Sequence, residues 1–179
     1  EEEKLAHEFW RQQMSKLTNV RLPGESVSPA VVPSERQILP VQVESGVASH
    51  VWKLAETFGV TPSIVLLAGW QNLLWRLTSE AHITVWTAFD GRNHSVLNGM
   101  LGHLTKYQPI HCHFSEMDSF GHLIRRINKS CSEAYTRQEF YGPEGVDISP
   151  PIGFEYTEWP ASEEVAGTVF TLSHVYCEA

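Results

Sequence analysis

Four groupings of residues have the types and spacing for chemistry. His111-Cys112-His113 sets two imidazoles two positions apart, which on a strand puts both on one face, the beginning of a metal site. A structural zinc takes about four protein ligands and a catalytic one about three, and no further Cys or carboxylate is fixed by spacing here. Ordinary strand surface is therefore the simpler reading, and no metal is expected. Cys112 or Cys131 can be drawn into an acyl-transfer dyad with one of the histidines, but a buried Cys more often acts as a small hydrophobe. The cluster Asp90-Gly91-Arg92-Asn93-His94 directly follows a buried apolar segment, where a fold displays functional groups. The simpler reading is a turn in which Asp and Gly make the bend and Arg pairs locally. Arg125-Arg126-Lys129 is either a solvated helix face or a contact for an acidic or phosphorylated partner.

The elements that must carry these groups follow from periodicity. Ala6, Trp10, Met14 and Leu17 recur at helical spacing within Leu5 to Leu17, predicting a first helix. The stretch from Thr18 to Pro40 holds five prolines and glycines, Pro23, Gly24, Pro29, Pro33 and Pro40, and is predicted to be an exposed connector. Alternation from Ile38 to Glu44 predicts an edge strand. Val47, Val51, Leu54, Ala55 and Phe58 form a second helical stripe ended by Gly59. Thr61-Pro62 is an N-cap followed by a residue preorganised for the first helical position, so Ser63 to Leu77 is predicted to be a helix in the middle of the core. Ile83 to Phe89 predicts a strand covered on both faces, Leu104 to Phe114 a second strand, and Asp118 to about Gln138 a helix with Phe120, Leu123, Ile124, Ile127, Cys131, Ala134 and Tyr135 inward. Strands at Ile152 to Thr157 and Thr168 to Tyr176, flanking a loop with Pro160 and Gly167, close the pattern. The expected class is α/β of the α+β type, a mixed sheet flanked by helices.

Composition narrows function further. Thirteen Lys and Arg against 21 Asp and Glu give a net charge of −8, without the basic clusters that nucleic acid or an anionic membrane surface would need. The longest apolar run, from Ile64 to Trp70, is well short of the roughly 20 residues of a bilayer span. No Gly-rich loop lies between a strand and a helix, and no Walker sequence is present. The opening Glu1-Glu2-Glu3-Lys4 is unlike a secretory signal, and Cys112, Cys131 and Cys177 read as reduced thiols, so a cytoplasmic location is expected.

Several segments, in order, resemble the C-terminal lobe of a nonribosomal peptide synthetase condensation domain, within the chloramphenicol-acetyltransferase-like superfamily. Leu5 to Leu17 with Phe9-Trp10 is similar to the Trp-containing helix at the start of that lobe. Gly59-Val60-Thr61-Pro62-Ser63, leading through Leu66-Leu67-Ala68-Gly69-Trp70 to Leu77, resembles the family's next helix. Thr84 to Asn93 resembles the strand that closes on Gly-Arg, Leu101-Gly102 opens a segment like the one that follows, and Phe120 to Tyr135 resembles the succeeding helix. The family's Phe-Phe falls at His103-Leu104 and its Asn at Lys106, a departure that changes the lining of any cleft there. A final strand and helix would be expected beyond Tyr176.

The resemblance implies that residues 1–179 form one partial domain, a single lobe, with an exposed connector at about 18–40. The family's chemistry centres on a His-His-x-x-x-Asp-Gly motif of the other lobe, and nothing in these residues matches it. No catalytic residue is therefore assigned. The expectation is a truncated, non-catalytic interface or docking module. Its partners would be other peptide synthetase domains, a carrier protein, and a tailoring enzyme such as a hydroxylase. The alternative is the C-terminal lobe of an active amide- or ester-forming domain whose catalytic His lies on the absent lobe. No cofactor is expected on this chain, since the phosphopantetheine would ride on the carrier domain. Candidate interface or tunnel-lining residues are Arg92, Asn93, Gly102, His103, Lys106 and Tyr107.

Overall fold

The computed structural model describes residues 1–18, 20–25, 37–97, 99–142, 152–158 and 162–171. Among the described residues four helices pack on a small mixed sheet: α1 (Glu2–Met14), α2 (Ser45–Phe58), α3 (Pro62–Thr78) and α4 (Phe120–Thr136), with strands β1 (His82–Phe89), β2 (Lys106–His113) and β3 (Gly153–Phe154). Short 3-10 turns occupy Ser95–Leu97 and Gln138–Phe140. The expected fold class, a mixed sheet flanked by helices, is the one observed.

Local chemistry sets the helix ends. Gly59 takes a left-handed conformation (φ 62°) that closes α2, and Thr61 in extended backbone with Pro62 at the first turn opens α3 almost at once. Ser119 caps α4 by accepting from the His122 backbone N–H at 3.3 Å. The buried stripe of α4 is Leu123, Ile124, Ile127, Cys131 and Ala134. Phe120 and Tyr135, predicted inward, stand exposed at its two ends.

β1 lies between β2, antiparallel, and β3, parallel. Alternation gives the sheet two faces. One carries Ile83, Val85, Thr87 and Phe89 opposite Cys112, Ile110, Gln108 and Lys106; the other pairs His82 with His113 and Thr84 with His111. Arg126 of α4 neighbours Cys112 on the first face, and Gln13 and Lys16, in and just beyond α1, neighbour His111 on the second. Both faces of β1 are thus covered, as expected. The indole N–H of Trp10 donates to the Arg137 carbonyl at 2.8 Å, tying α1 to the end of α4.

Several expectations fail for physical reasons. Residues 38–44 form no strand: Ile38, Leu39, Val41 and Val43 are 60–83% exposed, and alternation without a neighbouring strand gives the backbone nothing to pair with. Among the described residues the element order therefore has no strand between the first two helices. α3 is not buried all round, since Leu73 and Leu77 face outward. In the connector, Val20 is buried, whereas residues 26–36 lie outside the described residues. The strand expected over 152–157 shortens to Gly153–Phe154. The region read as a loop contains a strand, β4 (Glu163–Val165), which pairs with β5 (Thr168–Phe170) as a separate hairpin. Residues 172–176 and Pro160 lie outside the described residues.

Candidate functional site

The loop between β1 and β2 gathers most of the candidate residues. Gly91 adopts φ 69°, and a Cβ there would sit 2.1 Å from the Leu104 carbonyl oxygen, so the chain crosses itself at the only side-chain size that fits. The Gly91 N–H donates to Gln138 Oε1 at 3.1 Å. Asp90 Oδ1 accepts from the Arg92 backbone N–H at 3.0 Å, an Asx-type turn. The Arg92 guanidinium folds back onto its own loop, donating to the Leu97 carbonyl at 2.6 Å and the Gly102 carbonyl at 3.5 Å. Arg92 and Gly102 are therefore brought together, and the local-pairing reading of the cluster describes this arginine.

Lys106 opens β2, and its Nζ reaches the carbonyls of Glu139 and Tyr141, each at 3.5 Å. Asn93, His94 and Lys106 share a cavity of about 220 Å³ with Gly91, Leu97, Leu104, Gln138 and Glu139. His94 Nε2 and Glu139 Oε2 lie 2.7 Å apart on its rim. Tyr107 projects to the other face of β2 and donates from its hydroxyl to Glu155 Oε2 at 2.7 Å, away from this cavity. His103 is exposed on the loop. The six candidates thus divide: Arg92 and Gly102 brace the loop, Asn93 and Lys106 line the cavity, Tyr107 joins β2 to the segment after β3, and His103 faces solvent.

Sequence reading missed the buried glutamines that support this loop. Gln138 Oε1 holds Gly91, while Gln108 Nε2 donates to the Gln138 carbonyl at 3.3 Å. Both are fully buried. The Gly91 contact spans 47 positions in sequence, so no local pattern signals it.

A second, larger cavity of about 630 Å³ opens between α3, the C-terminal end of β1, α4 and β3, with Thr61, Ser63, Thr87, Asn128 and Tyr135 among its walls. Among the described residues its polar lining is neutral apart from Asp90 and includes no basic side chain.

The histidine and cysteine groups do not converge. His111 and His113 do share a face, but Cys112 points to the opposite one. Among the described residues no group of three or more His, Cys, Asp or Glu is placed to hold a metal ion. Burial pushes the Cys112 thiol up to about 11, against the opposing pull of Arg126, and the Cys131 thiol up to about 12. Neither is a ready thiolate at neutral pH.

His111 shares a 2.8 Å hydrogen bond between its Nδ1 and Thr84 Oγ1. Burial lowers its pKa from 6.5 to about 4; Lys16 and His82 add to the shift, and the Gln13 backbone opposes it. The unfolded chain therefore takes up a proton that the native state refuses as pH falls from 6.5 to 4. Stability from this source is intact above 6.5, is lost through that window, and the loss levels off below it. With the ring partly exposed, about 2 kcal/mol is expected to disappear. Urea unfolding across that range, in the wild type and in His111→Asn, should show a shallower pH slope in the variant; equal slopes would contradict the assignment.

Comparison with known proteins follows from this geometry. The condensation-domain family profile matches residues 1–142. Surfactin synthase subunit 1 of Bacillus subtilis is 27% identical over 133 residues, covering 74% of this chain and 4% of that protein. The chain thus spans a small part of that relative. The first condensation domain of the CDA synthetase superposes with a TM-score of 0.66 at 18% identity, over 93% of this chain and 38% of that one. A four-domain nonribosomal peptide synthetase, holo-AB3403 bound to AMP and glycine, superposes with a TM-score of 0.71 at 19% identity, over 85% of this chain and 12% of that one.

Proposed function

The chain belongs to the condensation-domain family, and from that premise we propose that residues 1–179 are a single partial domain, the C-terminal lobe of a chloramphenicol-acetyltransferase-like fold, which holds partners in place instead of moving a proton. The observation that carries this reading is the exposed apolar pair on α3: Leu73 and Leu77, about one helical turn apart, are 45% and 50% exposed, while Leu66 and Trp70 of the same stripe are partly buried and Trp70 packs against the core. Exposed apolar residues grouped in this way support a contact surface. Trp52 of α2 adds a further exposed ring.

The proposed partners are other domains of a peptide synthetase, a carrier domain bearing its phosphopantetheine arm, and a tailoring enzyme such as a hydroxylase. Arg92, Asn93, Gly102, His103, Lys106 and Tyr107 would lie at the contact or along the wall of a shared tunnel. Two features support the absence of proton transfer by this chain. His-His-x-x-x-Asp-Gly does not occur in its sequence, and its buried imidazole and thiols are held in neutral form. A cytoplasmic setting is proposed with this role. Among the described residues no single helix is long and apolar enough to cross a membrane, and α2 with α3 passes that test only as a pair bent by 108°.

Titration calorimetry of the purified chain against carrier domains and tailoring enzymes encoded beside it tests the proposal. Saturable binding to at least one is expected, weakened when Leu73 and Leu77 are both changed to Ser. No association with any of them would remove the docking reading.

One observation favours a second reading. The chain covers 38% of a condensation-domain structure, so it would fit as one lobe of an active domain whose catalytic His is supplied by the rest. This half would then contribute orientation and tunnel walls. Adding the complementary lobe in trans would restore amide formation under this reading and would have no effect under the first.

A further inference from the structure

We propose that His82 and His113 form a two-imidazole binding site for a divalent transition-metal ion of the borderline class, such as Zn²⁺. This site goes beyond the docking reading and does not depend on it.

The β1–β2 register brings the pair together. His82 opens β1, His113 closes β2, and the two are direct partners at the end of the ladder. Directly opposed residues hold their Cβ atoms about 4.5–5.5 Å apart, whereas two positions along one strand, the spacing of His111 and His113, span about 6.6–6.8 Å. The cross-strand neighbour is therefore the chelating partner. The His82 and His113 ring centroids lie 4.7 Å apart with their planes inclined at 60°. Zinc takes imidazole nitrogens at about 2.0–2.1 Å, which sets two of them about 3.3 Å apart in a tetrahedral shell. Rings at this separation reach that spacing by rotation of the side chains alone. The backbone beneath them is pinned: the Phe114 N–H donates to the Ala81 carbonyl at 2.7 Å, and the Thr18 hydroxyl donates to the His82 carbonyl at 3.1 Å.

The chemistry of the pair selects the ligand. Both rings are exposed, and among the described residues neither has a hydrogen-bond or ion-pair partner, so their nitrogens are open to an ion from solvent. Imidazole suits zinc, copper and nickel, while magnesium and calcium take oxygen. The cation nearest the His113 backbone is already neutralised: Arg126 donates to the His113 carbonyl and makes two 3.0 Å bonds to the Asp118 carboxylate. Lys16, a neighbour of His111, is exposed, and solvent screens its charge. His111 stays outside the site, because Thr84 engages its Nδ1 and its Nε2 is buried. Among the described residues no third His, Cys, Asp or Glu completes a set, so water would fill the remaining coordination positions.

The test is an NMR titration of the full chain with ZnCl₂ and, separately, MgCl₂, at about pH 7.5, where an ordinary imidazole is neutral, following the ring signals of all nine histidines. The His82 and His113 rings are expected to shift together and saturate with zinc, and to ignore magnesium. His82→Gln and His113→Gln should each weaken zinc binding by about tenfold or more, because the second imidazole acts at high effective concentration once the first is engaged. The double variant should lose little beyond either single one, the non-additivity of a shared chelate. His50→Gln, which removes an exposed ring on α2, should leave zinc binding unchanged. If one site variant fails to fold, the other decides. Zinc saturating other histidines first, equal binding of magnesium, or unchanged affinity in a folded site variant would overturn the site, as would additive losses in the double variant.

Discussion

Trp10→Ala is expected to lower stability by about 3–5 kcal/mol and to release α1 from the sheet. α1 fully buries Ala6 and Trp10, with Phe9 and Met14 partly buried against the core, so the indole is the largest single part of its attachment. That ring is 5% exposed, packs edge-on to Tyr141 at 4.7 Å and to Phe9 at 4.9 Å, and donates its N–H to the Arg137 carbonyl. Truncation removes the buried aromatic area and the indole hydrogen bond, leaving the Arg137 carbonyl with the Phe140 N–H at 3.2 Å. Trp10→Phe keeps most of the area and loses the hydrogen bond, so a smaller cost, about 1–2 kcal/mol, is expected. Urea unfolding of both variants measures this. A loss below about 1 kcal/mol for the alanine variant would mean that α1 is held by something other than Trp10.

The second large effect is local. Gly91→Ala must place a methyl 2.1 Å from a backbone oxygen that no rotamer change can move, in a left-handed conformation that already disfavours side chains. Either Leu104 shifts or Gly91 does, and with the second the bond to Gln138 is lost. About 2–5 kcal/mol is expected from strain together with the lost hydrogen bond. Gly99→Ala supplies the control: its φ is 86° but nothing lies within 4 Å, so only the backbone term of about 1–2 kcal/mol applies. Equal melting temperatures for the two variants would contradict the crossing of the loop on itself.

Much of this architecture was legible in the sequence, because it rests on local signals. Thr61-Pro62 marks the start of α3 within a residue, Gly59 ends α2, and β-branched residues at 83–85 with Trp86 mark β1 as a strand covered on both faces. The failures share a cause. Whether Ile38 to Val43 pairs, whether Leu73 is covered, and whether Phe120 packs inward depend on what lies opposite, and periodicity describes only one side of a contact. The candidate site divides in the same way. Asp90 to Asn93 announces a turn, and Lys106 is singled out only by the family resemblance, as the position where the family's Asn falls. Yet what makes a cavity of them is Gln138, held to Gly91 across the fold, and an isolated Gln at the end of a helix carries no such message. The pairing of His111 with Thr84 was likewise hidden, since it needs the β1–β2 register.

These pieces combine into one physical account. Under the proposed reading, the exposed Leu73 and Leu77 of α3 position partners, while the buried His111 imidazole and the Cys112 and Cys131 thiols, held neutral, take no part in proton exchange with an attacking amine. The most direct test combines the purified chain, alone, with an aminoacyl-loaded donor carrier and an amine-bearing acceptor carrier, and follows amide product by mass spectrometry. The account predicts no product above the protein-free control while the chain still binds a partner saturably; amide formation by this chain unaided would contradict it.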